Sequence, residues 1–157
     1  MLGCSSLLRT LASLKKRATA SSLRAYRTQR MNAPGPIAPQ VLCASAELEE
    51  RGRAVVFDVL LWRQPARAFA LRYDGRLVAY LNRCSHVPTE MDWQEGHFLD
   101  ADKRFIVCSI HGATYEPETG RCVGGPCGRG RLVVIEVEER DGEVYWYPSR
   151  DTQPVFP

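Results

Sequence analysis

The chain has 157 residues, enough for one domain with some excess, and no apolar run in it approaches the roughly 18 residues of a membrane-spanning helix. Its composition is ordinary, with 45% hydrophobic and 25% charged residues. The net charge is +3, yet no cluster of Lys or Arg lies on a periodic segment of the body, so nothing there indicates nucleic-acid binding.

The basic charge is concentrated in residues 1–30. They hold seven of the 21 Lys and Arg residues and no acidic residue, which leaves 14 basic against 18 acidic residues in 31–157, a formal charge of −4. A basic segment rich in Ser, Ala and Leu is typical of an organelle transit peptide. The alternatives are a native basic tail, or a mis-called start with Met31 as the true first residue. We exclude residues 1–30 from the fold.

The same segment is a poor secretory signal, because Arg9 interrupts its short apolar stretch. We therefore expect a reducing compartment: the cytoplasm of a bacterium, or the mitochondrial matrix if residues 1–30 are a transit peptide. In a reducing compartment the six Cys residues favour metal or redox chemistry over a disulfide framework.

Regular structure is expected from Val41 onward. A Pro-rich linker at residues 32–39 completes a leader, residues 1–40, that we predict to be disordered. The sequence ASAELEERG predicts one helical turn that ends at Gly52. Residues 53–61 are rich in Val, Leu and Phe and predict a strand.

Two β-hairpins are predicted, each with an Asp-Gly turn. Residues 67–81 turn at Asp74-Gly75, and residues 131–148 turn at Asp141-Gly142. No helix longer than two or three turns is visible, so we predict an all-β fold. Residues 149–157 contain two Pro and predict a flexible tail.

Between the hairpins lies a segment of different composition, residues 82–130. It holds four of the six Cys and all three His, with recurring Gly and Pro, and within it only residues 104–108 look like a strand. Long irregular segments in a compact domain normally serve a function or are held by a local crosslink. A metal centre would supply that crosslink.

The pattern in this segment is Cys84-x-His86, then 21 residues, then Cys108-x-x-His111. Side chains two positions apart in an extended segment project to the same side, so Cys84 and His86 can point into one site. A three-residue offset does the same across a turn, which Gly112 makes easy. Two such loops, brought together, present two thiolates and two imidazoles.

This arrangement resembles the Rieske family of 2Fe–2S proteins, whose signature is C-x-H, a spacer, and C-x-x-H. The flanking hairpins and the Gly-Gly-Pro segment at 124–126 resemble the family as well, over about residues 41–148. The resemblance implies an antiparallel β-sandwich with a small cluster-binding subdomain, about 82–130, inserted between hairpins. It also implies that one [2Fe–2S] cluster is held by two Cys on one iron and two His on the other, which here are Cys84, Cys108, His86 and His111.

The resemblance also bears on the reduction potential. Neutral imidazoles leave an oxidised cluster with no net charge, whereas two further thiolates would give −2, so His ligation raises the potential. High-potential respiratory members carry an extra disulfide and a Ser after His-Gly, where this chain has Thr89, Ser109 and Ala113. Tyr115 occupies the place of a hydroxyl that bonds a ligand sulfur. With fewer donors to the cluster, we predict a ferredoxin-type, low-to-intermediate potential.

A zinc site is the alternative for these four residues, although zinc sites more often pair like ligands. For Cys122 and Cys127 the preferred interpretation is two small side chains packed in a tight loop, and the alternative is a redox-active or stabilising disulfide under the cluster. We expect His97 to face solvent, Trp93 and Tyr115 to be packing residues, and Trp146 to lie in a strand core. Cys4 and Cys43 are expected to be incidental.

The sequence favours an electron carrier over an enzyme. It contains no recognisable Ser-His-Asp or carboxylate-pair motif, and its Gly-rich stretch lacks the Lys-Ser/Thr of a phosphate loop. The chain is also too short for the mononuclear iron domain of Rieske oxygenases. We expect a ferredoxin that passes single electrons to an oxygenase or reductase. The alternatives are a small Rieske subunit of a nitrite-reductase-like complex, and a zinc-stabilised interaction module.

Overall fold

The computed structural model of the chain describes residues 38–156. The predictions made for residues 1–37, including the leader and Cys4, lie outside the described residues. Within them the strands are β1 Gln40–Ala44, β2 Val55–Leu61, β3 Gln64–Tyr73, β4 Arg76–Leu81, β5 Ile106–Val107, β6 Thr114–Tyr115, β7 Cys122–Gly124, β8 Glu136–Arg140, β9 Glu143–Tyr147 and β10 Thr152–Gln153. Two short 3₁₀ helices span Ser45–Glu47 and Gly125–Cys127.

The strands form three antiparallel sheets, and the predicted all-β fold is confirmed. Their orders are β1-β9-β8, β10-β2-β3-β4 and β5-β6-β7. The third sheet lies inside the segment 82–130 and carries the inserted subdomain. In the described part of the chain, no helix has the length and apolar character that crossing a membrane requires.

The β3–β4 hairpin is the centre of the fold because both of its faces are buried. Ala68 and Ala70 pack with Trp146 of β9, which joins the first two sheets as a sandwich. The alternate residues of β3 face the inserted subdomain instead, where the ring of Phe69 stacks on that of Phe98 with centroids 3.7 Å apart. Because side chains alternate along a strand, one hairpin covers both cores.

Both predicted Asp-Gly turns are present. Asp74 and Gly75 have φ of 49° and 72°, and Asp141 and Gly142 have φ of 54° and 80°. Positive φ at both central residues is the mark of a type I′ turn, whose twist matches that of the strands it joins. A third two-residue turn joins β2 to β3 at Trp62-Arg63, with φ of 48° and 67°. The sequence did not indicate that turn, because neither residue favours positive φ.

Two predicted elements differ from the structure. The helical turn is only the 3₁₀ helix Ser45–Glu47 and does not reach Gly52, because the residues after it pair with β3: the Arg51 amide donates to the Arg72 carbonyl at 2.8 Å. The predicted tail is also not loose throughout. Its strand β10 pairs with β2, and Thr152 is buried.

A turn at Ser149 explains why that segment folds back onto the sheet. The Ser149 hydroxyl accepts the amides of Asp151 and Thr152 at 3.2 and 3.0 Å. The Asp151 carbonyl then accepts the Trp62 amide at 2.8 Å. Short Ser turns of this kind compete with extended structure locally and set the direction of the next residues.

Tyr80 links the β3–β4 hairpin to Pro117, which lies just after β6 in the inserted subdomain. Its ring is buried, and its hydroxyl donates to the Pro117 carbonyl at 2.7 Å. Burial raises the pKa of Tyr80 to about 12 from the ordinary value of 10.0.

Because the pKa of Tyr80 is higher in the folded state, its contribution to stability is complete below pH 10 and lost as the pH rises towards 12. We expect the free energy of unfolding to fall across that range by up to about 3 kcal/mol on account of this residue. Denaturant titrations at several pH values will show it. Tyr80→Phe, which keeps the ring, should be less stable at neutral pH but should lose this part of the alkaline slope. Equal slopes for the two proteins would contradict the assignment.

Candidate metal centre

The structure pairs the two predicted cysteine ligands with each other and the two predicted histidine ligands with each other, in two loops. Cys84 and Cys108 are buried, with 2% and 0% of their surface exposed, and their thiols are close enough to share a hydrogen bond. His86 and His111 are exposed, and their ring centroids lie 5.2 Å apart. Each loop therefore contributes one inner sulfur and one outer imidazole.

The two thiols have different acidities. Burial alone would raise the pKa of Cys84, but hydrogen bonds from the Tyr115 hydroxyl and from the backbone outweigh it, so the pKa of this thiol lies below its ordinary value. Burial raises the pKa of Cys108, and the neighbouring Cys84 raises it further. Donors to a sulfur favour its thiolate form, which is the form that binds a metal.

Asn82 shapes the first loop, residues 82–92. It is a buried polar residue whose side-chain carbonyl accepts the Met91 amide at 2.8 Å and whose amide group donates to Asp92 at 2.7 Å. The Cys84 amide in turn donates to the Thr89 carbonyl at 2.9 Å. These bonds close the loop on itself, so that it does not depend on strand pairing for its shape.

The second loop, residues 108–115, turns at Gly112, whose φ of 71° agrees with the expectation from sequence. The Cys108 amide donates to the Ala113 carbonyl at 2.8 Å, and the Gly112 amide returns to the Cys108 carbonyl at 2.9 Å. The Ser109 amide donates to the Met91 carbonyl at 2.7 Å and so ties the second loop to the first. This bond holds the loop that contains Cys84 and His86 against the loop that contains Cys108 and His111.

Tyr115 lies behind the first loop, where it is fully buried, as expected for a packing residue. Its hydroxyl lies 3.1 Å from the Cys84 sulfur. The Ser85 amide donates to the same hydroxyl at 3.1 Å, and the Ser85 hydroxyl lies 3.0 Å from it. Since a tyrosine has one proton and an ionised sulfur is the stronger acceptor, the Tyr115 proton points to Cys84 and both Ser85 groups donate to Tyr115.

We expect Tyr115→Phe to lower the reduction potential of the bound cluster by roughly 50 mV. The lost hydrogen bond stabilises the more negative, reduced state, and a difference of about 1 kcal/mol corresponds to about 40 mV for one electron. Ser85→Ala should shift the potential in the same direction by less, and Ser85→Thr should restore it. Ser109→Ala is the matched control, because Ser109 follows the other Cys and is exposed. A redox titration in which Tyr115→Phe and Ser85→Ala keep the wild-type potential would contradict this role.

A third segment, which we call the cap, covers the two loops and comprises residues 122–130. A Cβ atom on Gly125, which has φ of 74°, would lie well under 3.0 Å from the Gly112 carbonyl oxygen. A Cβ atom on Gly130 would collide in the same way with the Ser85 hydroxyl. The cap therefore touches both loops at positions where only glycine fits.

The preferred interpretation of the two cysteines in the cap, as free packed side chains, is wrong. Cys122 and Cys127 form a disulfide, with Cα atoms 5.9 Å apart, rather than a pair of free packed thiols. The 3₁₀ helix Gly125–Cys127 turns the chain back and brings the two residues together. Sequence spacing left both possibilities open, because it does not fix the path between them.

Trp93 is the site residue for which the prediction was wrong. It was expected to pack, but 86% of its surface is exposed. Its neighbours Met91 and Phe98 fill the core instead, and the loop between them is held outside by an ion pair between Arg67 and Glu95 at 2.8 Å. Two other expectations are met, since His97 is exposed and Trp146 is buried. Cys43 is buried in another core cluster, and its lack of a role stays a prediction.

The donor set fits a [2Fe–2S] cluster. Within residues 38–156, no group of three or more His, Cys, Asp or Glu side chains is arranged so that it could hold a single metal ion. A [2Fe–2S] cluster requires only two protein ligands on each iron, because two sulfides complete its four positions, whereas a structural zinc ion takes all four from the protein. Two adjacent thiols in the interior and two adjacent imidazoles at the surface meet the first requirement.

Comparisons with known proteins agree with the fold. The family profile of the Rieske [2Fe-2S] domain matches residues 38–156, which extends beyond the range 41–148 expected from sequence. No curated protein matches the chain significantly.

Solved structures show the same fold. The ferredoxin of carbazole 1,9a-dioxygenase from Nocardioides aromaticivorans IC177 is 20% identical, with a TM-score of 0.57 over 72% of this chain and 100% of that one. A complex of reduced oxygenase and oxidised ferredoxin of carbazole 1,9a-dioxygenase matches at 24% identity and a TM-score of 0.54, over 69% of this chain and 92% of that one. The terminal oxygenase from Novosphingobium sp. KA1 is 25% identical, with a TM-score of 0.57, but only 35% of that chain is covered, against 79% of this one. The chain therefore belongs to the Rieske [2Fe-2S] domain family, and its cofactor is a [2Fe–2S] cluster.

Proposed function

We propose that this protein is a one-electron carrier whose cluster is held by Cys84 and Cys108 on one iron and by His86 and His111 on the other. The observation that carries the proposal is the pairing of two buried, neighbouring thiols with two exposed imidazoles across two loops. When bound, the cluster supplies reversible one-electron chemistry. The buried thiols keep water from one side of the site, and the imidazoles connect the other side to the surface.

The electron leaves and enters at the histidine face. Both imidazoles are exposed there, and each is followed or preceded by a half-exposed apolar residue, Val87 and Ile110, with 42% of its surface exposed. These two residues give a partner protein apolar surface to bury beside the imidazoles, as the core of a protein interface requires. The carrier function therefore needs no substrate pocket, only a partner that covers this face.

The partner that we propose is an oxygenase, or a reductase that loads the carrier. Support comes from the similar fold of a ferredoxin seen in a complex with the oxygenase of carbazole 1,9a-dioxygenase. Co-purification of the native protein with its partner, followed by electron transfer to that partner, tests the assignment. A stoichiometric complex that survives gel filtration would instead favour the second candidate, a small subunit of a larger oxidoreductase.

That second candidate is favoured by one observation, an exposed apolar pair of residues beside β4. Val133 and Val134 are adjacent in sequence and have 50% and 61% of their surface exposed. A permanent subunit would bury such a pair, whereas a free carrier leaves it in water. The proposed location is the bacterial cytoplasm, with the mitochondrial matrix as the alternative, and cell fractionation with an antibody will decide between them.

Metal analysis of the purified protein tests the cofactor and the ligands together. We expect equal amounts of iron and acid-labile sulfide, two of each per chain, and an EPR signal after dithionite with the low average g of a His-ligated cluster. Cys108→Ala should lose both iron and sulfide, while Cys43→Ala, at a buried cysteine of another core, should retain them. A colourless protein with one zinc per chain would overturn the proposal.

A further inference from the structure

The disulfide in the cap supplies none of the four predicted ligands. The four predicted ligands are complete without it, yet it lies in the same core cluster as Cys84 and Cys108. Cys127 is buried with 7% of its surface exposed, whereas Cys122 is only partly buried. Cys122 is therefore the more solvent-accessible of the two bonded residues.

The disulfide is mechanically connected to both loops of the site. Cys122 pairs with Tyr115 across β6 and β7, and Tyr115 contacts the Cys84 sulfur. Further along the cap, Gly125 lies against Gly112, and Gly130 lies against Ser85. Opening the bond removes the side-chain crosslink of the cap and leaves its backbone hydrogen bonds, such as those from Cys122 to Gly130 and from Gly130 to Cys127, to hold it.

The segment of the chain that carries the bond is basic. Residues 119–135 contain Arg121, Arg129 and Arg131 and no acidic residue. Among the residues that the structure describes, none of these three arginines takes part in an ion pair. Arg121 and Arg131 also pair as neighbours in an isolated bridge. Nearby cations attract an anionic nucleophile and stabilise a leaving thiolate.

We propose that the Cys122–Cys127 pair is a second redox site of this protein, a disulfide that a protein or small-molecule dithiol opens, and that its opening loosens the cap over the two ligand loops. The attacking thiolate forms a bond to the Cys122 sulfur while the S–S bond to Cys127 breaks and Cys127 leaves as a thiolate. The second thiol of the reductant then attacks the reductant sulfur that is bonded to Cys122, which breaks the mixed disulfide and releases Cys122 as a thiolate. Two electrons and two protons pass to the pair, and the reductant becomes a disulfide.

The effect on the ligand loops rests on the proposed function, whereas the exchange itself does not. A covalent link across a short loop restricts the open conformations of the cap, so its loss makes transient opening more frequent. We expect reduction to speed the release of iron to a chelator about tenfold, and re-oxidation to restore the slow rate.

The first experiment follows the cysteines in the full-length holoprotein. Free thiols are blocked under denaturing, non-reducing conditions after equilibration in mixtures of reduced and oxidised dithiothreitol, and the labelled peptides are identified by mass spectrometry. We expect Cys122 and Cys127 to convert together at ratios that leave the visible spectrum of the cluster intact. Free thiols at both positions in protein purified without reductant would overturn the proposal. Opening only after the cluster is lost would overturn it equally.

The second experiment measures iron release from Cys122→Ser/Cys127→Ser, which imitates the open pair, and from Cys43→Ser as the matched control for the loss of a cysteine elsewhere. We expect the double variant to release iron as fast as the reduced wild type, at a rate that dithiothreitol does not change. In Cys43→Ser, dithiothreitol should speed the release of iron as much as it does in the wild type. Equal release rates for the oxidised and reduced wild type would overturn the coupling. If the wild type assembles no cluster, then the proposed function and the coupling fail, while the labelling experiment still decides whether the exchange occurs.

Discussion

Replacing both His86 and His111 by Cys is expected to lower the reduction potential by several hundred millivolts. Neutral imidazoles leave the oxidised centre uncharged, whereas two additional thiolates give it a charge of −2 and oppose the entry of an electron. The potentials of the two ligand classes differ accordingly, at roughly −150 to +300 mV for His-ligated centres and about −400 mV for four-Cys plant-type ferredoxins. Both positions are exposed, so the new thiolates do not have to enter the core.

A redox titration followed by visible circular dichroism measures this change, and iron analysis shows that the cluster is still bound. His97→Cys is the matched control, since His97 is exposed and lies in neither ligand loop. A double variant that binds iron and keeps the wild-type potential would contradict the ligand assignment. If the double variant binds no iron, then the single variants His86→Cys and His111→Cys provide the same test with half the charge.

Gly125→Ala is expected to destabilise the fold by several kcal/mol and to prevent the cluster from assembling. The new Cβ atom would lie far inside van der Waals contact with the Gly112 carbonyl oxygen, and 3.0 Å from the Ala113 Cα. Both neighbours are backbone atoms of the second ligand loop, so the clash cannot be relieved by a side-chain rotation. Overpacking of a tight site costs typically 1–3 kcal/mol, and the positive φ of 74° adds about 1–2 kcal/mol.

Gly75→Ala separates these two costs, because Gly75 has a φ of 72° but no atom within 4 Å of its Cβ position. We expect this control to lose only the backbone part and to bind iron normally. The measurements are the free energy of unfolding from denaturant titration and the iron content per chain. Equal losses in the two variants would mean that the cap does not press on the ligand loop.

The exposed Trp93 shows how far composition can mislead. A large aromatic side chain is usually buried, and the sequence around it offers no contrary signal. In the folded chain Met91 and Phe98 occupy the available core on either side of it, and Asp92 accepts the Gly96 amide at 3.0 Å to close the loop outside. Which of several apolar side chains enters a core depends on the space that other segments leave, and this cannot be judged locally.

The inserted subdomain shows the opposite case. Its two ligand pairs are short local patterns, and the folded loops keep each pair together as the spacing of two or three residues requires. Tyr115 was placed near a ligand sulfur by resemblance to the family, and its hydroxyl lies 3.1 Å from Cys84. The role of Ser85 was missed, because its contact with Tyr115 joins residues that are 30 positions apart.

Sequence alone was enough to predict the all-β class and the Asp-Gly hairpins, and it supplies four candidate donors in two short patterns. These depend on steric preferences and offsets of a few residues, which any copy of the same segment carries with it. What only the tertiary structure decided is the disulfide between Cys122 and Cys127, the docking of β10 on β2 and the exposure of Trp93. The last two depend on which distant segments meet and how much apolar surface each arrangement buries, a sum over the whole chain that no local pattern contains. The disulfide depends on the path of the five-residue turn that brings its two cysteines together, which their spacing does not fix.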